Sequence, residues 1–235
     1  MTKGKAICSM ILKTIIISLV FIGYTIAYLK DSRGLNTLLY FTIQSNLWLA
    51  IFDLVLLIAM IIAYKKGVYK VNNNYYRLQQ IFTVCITVTG IVFVCILLPG
   101  ILLHGDLTSY KPFSSYSIIF HMIVPTLGIV DYFMFTKEVE FKHYDYLYVA
   151  IPTLYYFTFA LIGYHLNWDF GEGRNYPYFF LNYDSPAKIF GFSDTMPYFM
   201  GSFYWIILLT GLIIGLSYLY IKLLEKINRK YTTNF

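Results

Sequence analysis

YFTIQSN, residues Tyr40 to Asn46, opens an apolar run that continues to Tyr64. The whole run is roughly 25 residues long, and an α-helix needs about 20 residues to cross a bilayer. On a helix, positions separated by four, seven or eleven residues return to nearly the same face, so Thr42, Asn46 and Asp53 share one stripe. Because polar side chains are costly to expose to hydrocarbon, the stripe predicts a membrane helix whose polar face meets a bundle interior or a cavity.

The composition is that of an integral membrane protein. Of the 235 residues, 58% are hydrophobic and 13% are charged, and the mean hydropathy is +0.62. These values lie far outside those of a soluble domain of this length. The net charge of +6 does not indicate nucleic acid, because the basic residues fall in short segments between apolar runs. We therefore expect the bilayer, and no nucleic acid, as the chain's surroundings.

Six apolar runs predict an all-α integral membrane protein, a single domain over residues 1–235 with six transmembrane helices. The predicted helices cover about residues 7–29, 37–64, 79–103, 116–136, 146–166 and 198–223. Asn72 to Asn74 predict irregular chain, and the pair Pro99 and Gly100 predicts a kink or an end in the third helix. The connection 167–197 combines Gly, Pro and Asn with many aromatic residues, which indicates a folded extracytoplasmic cap at the membrane surface.

The distribution of basic residues predicts the orientation in the cell membrane. With loops assigned by parity, one side carries 13 and the other five of the 18 Lys and Arg residues. The five are Lys30, Arg33, Lys111, Arg174 and Lys188. By the positive-inside rule both termini are expected in the cytoplasm, and the second and fourth helices then enter from outside.

Three charged residues are predicted inside the membrane. Lys13 lies about 9 Å into the first helix at 1.5 Å per residue, near enough for its stem to snorkel back to the surface, which is the favoured interpretation. Asp131, at a similar depth in the fourth helix, is the alternative partner for Lys13. Asp53 lies near the middle of the second helix. Because intramembrane acids are functional by default, Asp53 and Asp131 also suggest an ion or proton path, as in a small transporter or channel.

Neither metal nor disulfide chemistry is indicated by the sequence. The three cysteines, Cys8, Cys85 and Cys95, all lie in apolar runs without CxxC spacing or partnered histidines. This pattern is typical of reduced packing residues. No phosphate-binding loop or GxSxG motif occurs either, so we expect no cofactor and no metal.

Thr42 and His121 are predicted at equal depth, roughly 6 to 8 Å beneath the outer surface. A threonine hydroxyl is a poor nucleophile until a base takes its proton, and histidine is the usual base. Pro125 follows His121 by four residues, so it removes the backbone hydrogen bond to the His121 carbonyl and is expected to bend the helix there. Spacing alone leaves open the alternative that Thr42 bonds its own helix and His121 a neighbouring carbonyl.

Four blocks of sequence resemble the bacterial Pr6Pr family of membrane proteins. They are YFTIQSNLWLA (40–50), TVTGIV (87–92), FHMIVPTLGIVDYFMF (120–135) and NYPYFFLNYD (175–184). That family is similar to the eukaryotic androgen-induced FAR-17a/AIG1 group of six-helix hydrolases, which act on fatty acid esters of hydroxy fatty acids with a threonine nucleophile and a histidine. The family threonine matches Thr42, and the family histidine, which precedes a proline by four residues, matches His121.

The resemblance implies a membrane-embedded hydrolase with a lipid ester as substrate. Thr42 would attack the ester carbonyl, and His121 would act as base and then as acid. Ser45 and Asn46, one turn further along the second helix, are then the nearest donors for the oxyanion. Asp131 is ten residues beyond His121, about 15 Å deeper, so we predict a dyad without a carboxylate. An acyl chain is expected to lie among the aromatic residues. A purely structural protein is a third interpretation, which leaves the polar mouth of the second helix unexplained.

Overall fold

A computed structural model of the chain describes residues 2–104, 112–136 and 139–232. Six helices in these ranges are long and apolar enough to cross a membrane, and no β-strand occurs within them. The prediction of an all-α bundle of six membrane helices is therefore confirmed. The helices are α1 (Lys3–Lys30), α2 (Phe41–Lys65), α3 (Asn73–Val92, a π-turn Phe93–Leu97 and Leu98–His104), α4 (Ser115–Ile118, a π-turn Ile119–Ile123 and Val124–Phe135), α5 (Asp145–Leu147 and Ala150–His165) and α6 (Ser202–Thr232).

The bounds of α3 and α6 differ from the predicted ones. The α3 helix begins at Asn73 because the Asn72 side chain caps it by accepting a hydrogen bond from the Asn74 N–H, so the prediction of irregular chain there is wrong. The same helix continues past Pro99 to His104, so it does not end at the proline. The α6 helix starts four residues later than predicted and extends nine residues further, because leucine, lysine and glutamate beyond residue 223 favour a helix.

The second helix is preceded by a separate short turn. Residues Gly34–Leu39 form a 3₁₀ helix, and Tyr40 then adopts an extended conformation before α2 begins at Phe41. The predicted start at residue 37 is therefore too early for the α-helix. As a result Thr42 is the second residue of α2, at the end where backbone N–H groups have no carbonyl partner within the helix.

The first four helices form the centre of the bundle. Contacts join α1 to α2, α2 to α3, α3 to α4 and α4 back to α1, while α6 packs on α3 and α5 on α6. Their shared core includes Val20 of α1, Leu49 of α2, Ile86 of α3 and Phe120 of α4. Large apolar side chains cover the outside, as expected for helices that face lipid.

Polar bonds between helices supplement this packing. Because lipid tails are as apolar as leucine, apolar burial alone does not hold membrane helices together, and interhelical hydrogen bonds contribute about 0.6 to 2 kcal/mol each. Gln80 Nε2 of α3 donates to Ser217 Oγ of α6 at 2.6 Å, and Thr87 Oγ1 lies 2.9 Å from the Tyr220 hydroxyl. Gln80 and Thr87 thus join α3 to α6.

The connection from α5 to α6 folds into a cap without a long helix. Phe170 and Leu181 are fully buried within it, and Phe179–Leu181 form a single 3₁₀ turn. The Tyr40 hydroxyl donates to the Phe170 carbonyl at 2.7 Å, which ties the cap to the start of α2. The prediction that this segment is folded is confirmed.

Two further predictions concern cysteines and loops. All three cysteines are free, but only Cys85 is buried, whereas Cys8 and Cys95 lie on the outer face and are not packing residues. Lys111 and Lys137, which entered the orientation count, lie outside the described residues. So do residues 105–111 of the predicted loop between α3 and α4.

Candidate functional site

Thr42 lies where α2 begins, next to a side chain of the cap. Its backbone N–H, which has no intrahelical acceptor at this position, donates to the hydroxyl of Tyr178 at 3.3 Å. The Tyr178 hydroxyl is also 3.4 Å from Thr42 Oγ1. The threonine is therefore buried between its own helix terminus and the cap, with 9% of its surface exposed.

His121 meets Thr42 from α4. The two side chains are joined by a 3.3 Å contact between Thr42 Oγ1 and His121 Nε2. On the other side of the ring, Nδ1 lies 2.9 Å from the Ser117 carbonyl oxygen. A carbonyl only accepts hydrogen bonds, so Nδ1 carries the proton and Nε2 is left to accept one from the Thr42 hydroxyl. The matched depth predicted from the sequence thus brings the pair together.

The His121 ring is held by stacking and by the irregular backbone of α4. Phe93 of α3 stacks on the imidazole with ring centroids 4.1 Å apart and planes 20° from parallel. Both residues lie in π-turns, each of which is followed shortly by a proline. The backbone irregularity at Pro125 takes the form of a π-turn over Ile119–Ile123, with His121 at its centre.

Gly90 of α3 accommodates the carbonyl that Pro125 leaves without its usual helical donor. A Cβ atom added at Gly90 would lie only 2.9 Å from the His121 oxygen and 3.7 Å from the Pro125 Cβ. A side chain at position 90 would therefore push α4 away from α3. The two helices therefore approach each other closely at Gly90, three residues before the Phe93 ring that stacks on His121.

Ser45 and Asn46 do not face the space beside the Thr42 hydroxyl. Ser45 Oγ lies 3.2 Å from the Thr42 carbonyl and 3.1 Å from Thr89 Oγ1. Asn46 Nδ2 donates to the Thr42 carbonyl at 2.7 Å and to the Phe120 carbonyl at 3.3 Å. The expectation that they donate to an oxyanion therefore does not fit their contacts. Side chains three and four residues along a helix reach back to the carbonyl, and here they fix the Thr42 backbone.

Two cavities meet at Thr42. The larger, about 120 Å³, extends from Thr42 and His121 towards the cap and has Arg33 and Arg174 in its wall. The smaller, about 50 Å³, reaches between α3, α5 and α6. Its wall is almost entirely apolar and includes Val88, Val92, Phe157, Leu209 and Ile213. Thr42, Leu97 and Tyr178 border both spaces.

Arg33 is held in the wall of the larger cavity by Asp31. Arg33 Nε and Nη2 donate to the two Asp31 oxygens at 2.8 and 2.6 Å, and the guanidinium lies 4.5 Å from the Tyr40 ring centroid. Burial alone would raise the pKa of Asp31, but hydrogen bonds from Arg33 and Tyr116 outweigh it and lower the pKa to about 2. The pair is therefore charged at neutral pH and makes this end of the cavity polar.

The predicted intramembrane charges form a separate cluster deeper in the bundle. Lys13 is 1% exposed and binds the Asp131 carboxylate, which also accepts from Ser9 Oγ at 2.9 Å and Gln79 Nε2 at 2.5 Å. Asp53 Oδ1 lies 3.7 Å from Lys13 Nζ. The snorkelling interpretation of Lys13 is therefore wrong. Its stem turns into the bundle because two carboxylates there compensate the ammonium charge.

The site adds three residues that the sequence did not single out, namely Phe93, Ser117 and Tyr178. Groups of His, Cys, Asp and Glu able to hold a metal are absent from the described ranges. The class that the fold and the site define is a six-helix membrane protein with a buried Thr–His pair beside a cavity. Comparison of the chain with family models, with curated proteins and with solved structures found no match.

Proposed function

We propose that the protein is a membrane-embedded hydrolase of lipid esters, in which Thr42 is the nucleophile and His121 the base. The observation that carries the proposal is the 3.3 Å contact of Thr42 Oγ1 with His121 Nε2, with the opposite ring nitrogen held by the Ser117 carbonyl. A hydroxyl nucleophile needs this arrangement, because the unprotonated ring nitrogen of the base faces the hydroxyl and the opposite ring nitrogen is held in position by a hydrogen bond. It also supports membership of the Pr6Pr family as part of the same proposal.

The reaction follows from these positions. Thr42 Oγ1 forms a bond to the ester carbonyl carbon while its proton passes to His121 Nε2. The tetrahedral intermediate collapses, the bond to the alcohol oxygen breaks, and His121 returns the proton to that oxygen. Water then attacks the acyl-threonine with His121 again as base, which releases the fatty acid and restores the hydroxyl. The Ser117 carbonyl takes the place that a carboxylate has in a triad, consistent with the expected dyad.

The cavities support an amphipathic ester as the substrate class. The apolar space between α3, α5 and α6 fits an acyl chain, while the larger cavity offers Arg33, Arg174 and tyrosine side chains to the more polar part. Fatty acid esters of hydroxy fatty acids, the substrate class that the family resemblance implies, have this division. The ester bond itself would lie at Thr42, where the two spaces meet.

Substitution of Thr42 in purified protein tests the proposal. Thr42→Ala is expected to abolish release of fatty acid and labelling by a fluorophosphonate, with no loss of fold, because alanine suits a helix. Thr42→Ser keeps an oxygen nucleophile and should retain part of the activity. Thr25→Ala is the matched control, because the Thr25 hydroxyl lies on the exposed face of α1 and donates to the Phe21 carbonyl of the same helix. This variant should behave as the parent. A Thr42→Ala protein that labels and hydrolyses like the parent would place the nucleophile elsewhere.

The alternative function is a small transporter or channel, and one observation favours it. Asp53 is 1% exposed, and its Oδ1 has no hydrogen-bond donor among the described residues. Together with Asp131 it gives the cluster two carboxylates for one ammonium. A parent protein that hydrolyses no ester in several classes, but moves protons in vesicles in a manner lost in Asp53→Asn, would favour transport.

A further inference from the structure

An oxyanion formed at Thr42 needs hydrogen-bond donors beside Oγ1. The amide of Asn46 donates to carbonyls, and Ser45 Oγ lies against the Thr42 carbonyl and Thr89 Oγ1. Two other polar groups do lie beside Oγ1. They are the backbone N–H of Thr42 itself and the hydroxyl of Tyr178, which reaches in from the cap.

We propose that these two groups form the oxyanion hole, with Tyr178 as a further catalytic residue. The inference rests on the proposed hydrolase function and names a donor that the sequence did not indicate. The inference also assigns the cap a role in catalysis, because without the cap the oxyanion beside Thr42 would have one hydrogen-bond donor in place of two.

The Thr42 N–H is available because of its place in α2. It is the second residue of a 25-residue helix, where N–H groups have no carbonyl partner within the helix and carry the positive end of the helix dipole. In the structure it donates to the Tyr178 hydroxyl at 3.3 Å. Negative charge that develops on a carbonyl oxygen beside Oγ1 is therefore favoured at this point.

The Tyr178 hydroxyl is arranged to donate. It accepts from the Thr42 N–H, so its own proton is directed elsewhere, and Thr42 Oγ1 lies 3.4 Å away as an acceptor for it. Since the Thr42 proton points to His121, a relay runs from Tyr178 through Thr42 to His121. Burial raises the pKa of Tyr178 to about 12, which keeps the phenol protonated at neutral pH.

The cap fixes the position of the Tyr178 ring. It stacks on Phe180 with centroids 5.0 Å apart and planes 7° from parallel, and it meets the Tyr40 ring edge to face at 5.6 Å. A donor that is held before the reaction needs no reorganisation when the charge develops. On attack, the ester carbonyl oxygen would replace Thr42 Oγ1 as the acceptor of the Tyr178 proton and would take the backbone N–H as its second donor.

Tyr178→Phe tests the inference, because it removes the hydroxyl and keeps the stacked ring. We expect kcat for an ester substrate to fall by on the order of 10²-fold, as for loss of one oxyanion donor, with KM nearly unchanged. Tyr183→Phe is the matched control, a buried cap tyrosine outside both cavities, and should keep parental kinetics. A Tyr178→Phe protein with parental kcat would overturn the inference, while loss of turnover in Thr42→Ala would leave the hydrolase proposal standing.

A thionoester substrate separates a donor from a residue that merely positions Thr42. Sulfur accepts hydrogen bonds poorly, so the parent should prefer the ester over its thionoester, and Tyr178→Phe should lose most of that preference. Equal losses on both substrates would mean that Tyr178 only positions the nucleophile, and would overturn the inference. If Tyr178→Phe does not fold, 3-fluorotyrosine at position 178 keeps the hydroxyl with a lower phenol pKa, and the alkaline limit of activity should then move to lower pH. An unmoved alkaline limit would also refute the role.

Discussion

Replacing Asp131 by asparagine removes the carboxylate that holds Lys13 inside the bundle. Removing one partner of a buried ion pair leaves an uncompensated charge and lowers the free energy of unfolding by about 3 to 5 kcal/mol. In this cluster Asp53 remains 3.7 Å from Lys13 Nζ, and at an effective dielectric constant of 20 that contact amounts to about 4 kcal/mol of attraction. The free energy of unfolding of Asp131→Asn should therefore fall by about 3 kcal/mol, the lower limit of that range. Asp53→Asn leaves the Lys13–Asp131 pair intact and neutral overall, and it also removes the desolvation cost of a second buried carboxylate and its repulsion from Asp131. These gains offset most of the lost attraction to Lys13, so the substitution should cost less than about 1 kcal/mol.

Thermal unfolding in detergent, followed by helical circular dichroism, measures these differences. By the scaling of domains of this size, a loss of 3 kcal/mol lowers Tm by about 6 to 12 °C. In the double variant Lys13→Met with Asp131→Asn the stranded charge is gone, so its loss should be smaller than the sum of the single losses by more than 1 kcal/mol. Strictly additive losses, or an Asp53→Asn protein as unstable as Asp131→Asn, would refute the assignment of Asp131 as the principal partner of Lys13.

Two further predictions concern the ends of the cavity system. The pKa of Asp31 is lowered from 3.8 to about 2, because hydrogen bonds from Arg33 and Tyr116 outweigh the effect of burial. The ionised carboxylate therefore stabilises the folded protein above pH 4, and this contribution is lost as the pH falls towards 2. Asp31→Asn should lower stability at pH 7 by about 1 kcal/mol after allowance for solvent screening, and should flatten the fall in Tm between pH 4 and 2; an unchanged acid profile would contradict this. Val88→Phe fills the apolar cavity and should shift hydrolysis towards shorter acyl chains while fluorophosphonate labelling of Thr42 persists. An unchanged chain-length profile would place the acyl chain elsewhere.

The six spans and the polar stripe of α2 were predictable because they depend on local hydropathy and helical periodicity. Thr42, Asn46 and Asp53 are all buried, as the shared face required. Equal depth also brought Thr42 and His121 together, since two helices that enter from one side place residues of equal offset at one height. Such arguments use only distance along a helix axis, which the sequence contains.

Lys13 and Tyr178 show what could not be predicted. The depth of Lys13 allowed both snorkelling and pairing, and the choice depended on partners 40 and 118 residues away that only the packed bundle brings near. Tyr178 is one of the chain's 24 tyrosines and lies in a segment without helical periodicity, so no pattern distinguished it from its neighbours. The π-turn at His121 could not be predicted either, because Pro125 indicates an irregularity in the helix but not its form.

The cluster around Lys13 has a consequence for how the chain enters the membrane during synthesis. A lysine in the middle of a lone membrane helix costs about 3 kcal/mol on insertion, and Asp131 is translated 118 residues after Lys13. Asp53 belongs to the next helix, so an α1–α2 hairpin already contains a counter-charge before α4 exists. When α4 arrives, Lys13 gains the hydrogen-bonded carboxylate of Asp131, and Asp53 keeps only the longer contact. We therefore expect Asp53, although it adds little to the stability of the finished bundle, to lower the cost of inserting Lys13 while only the first two helices have been made.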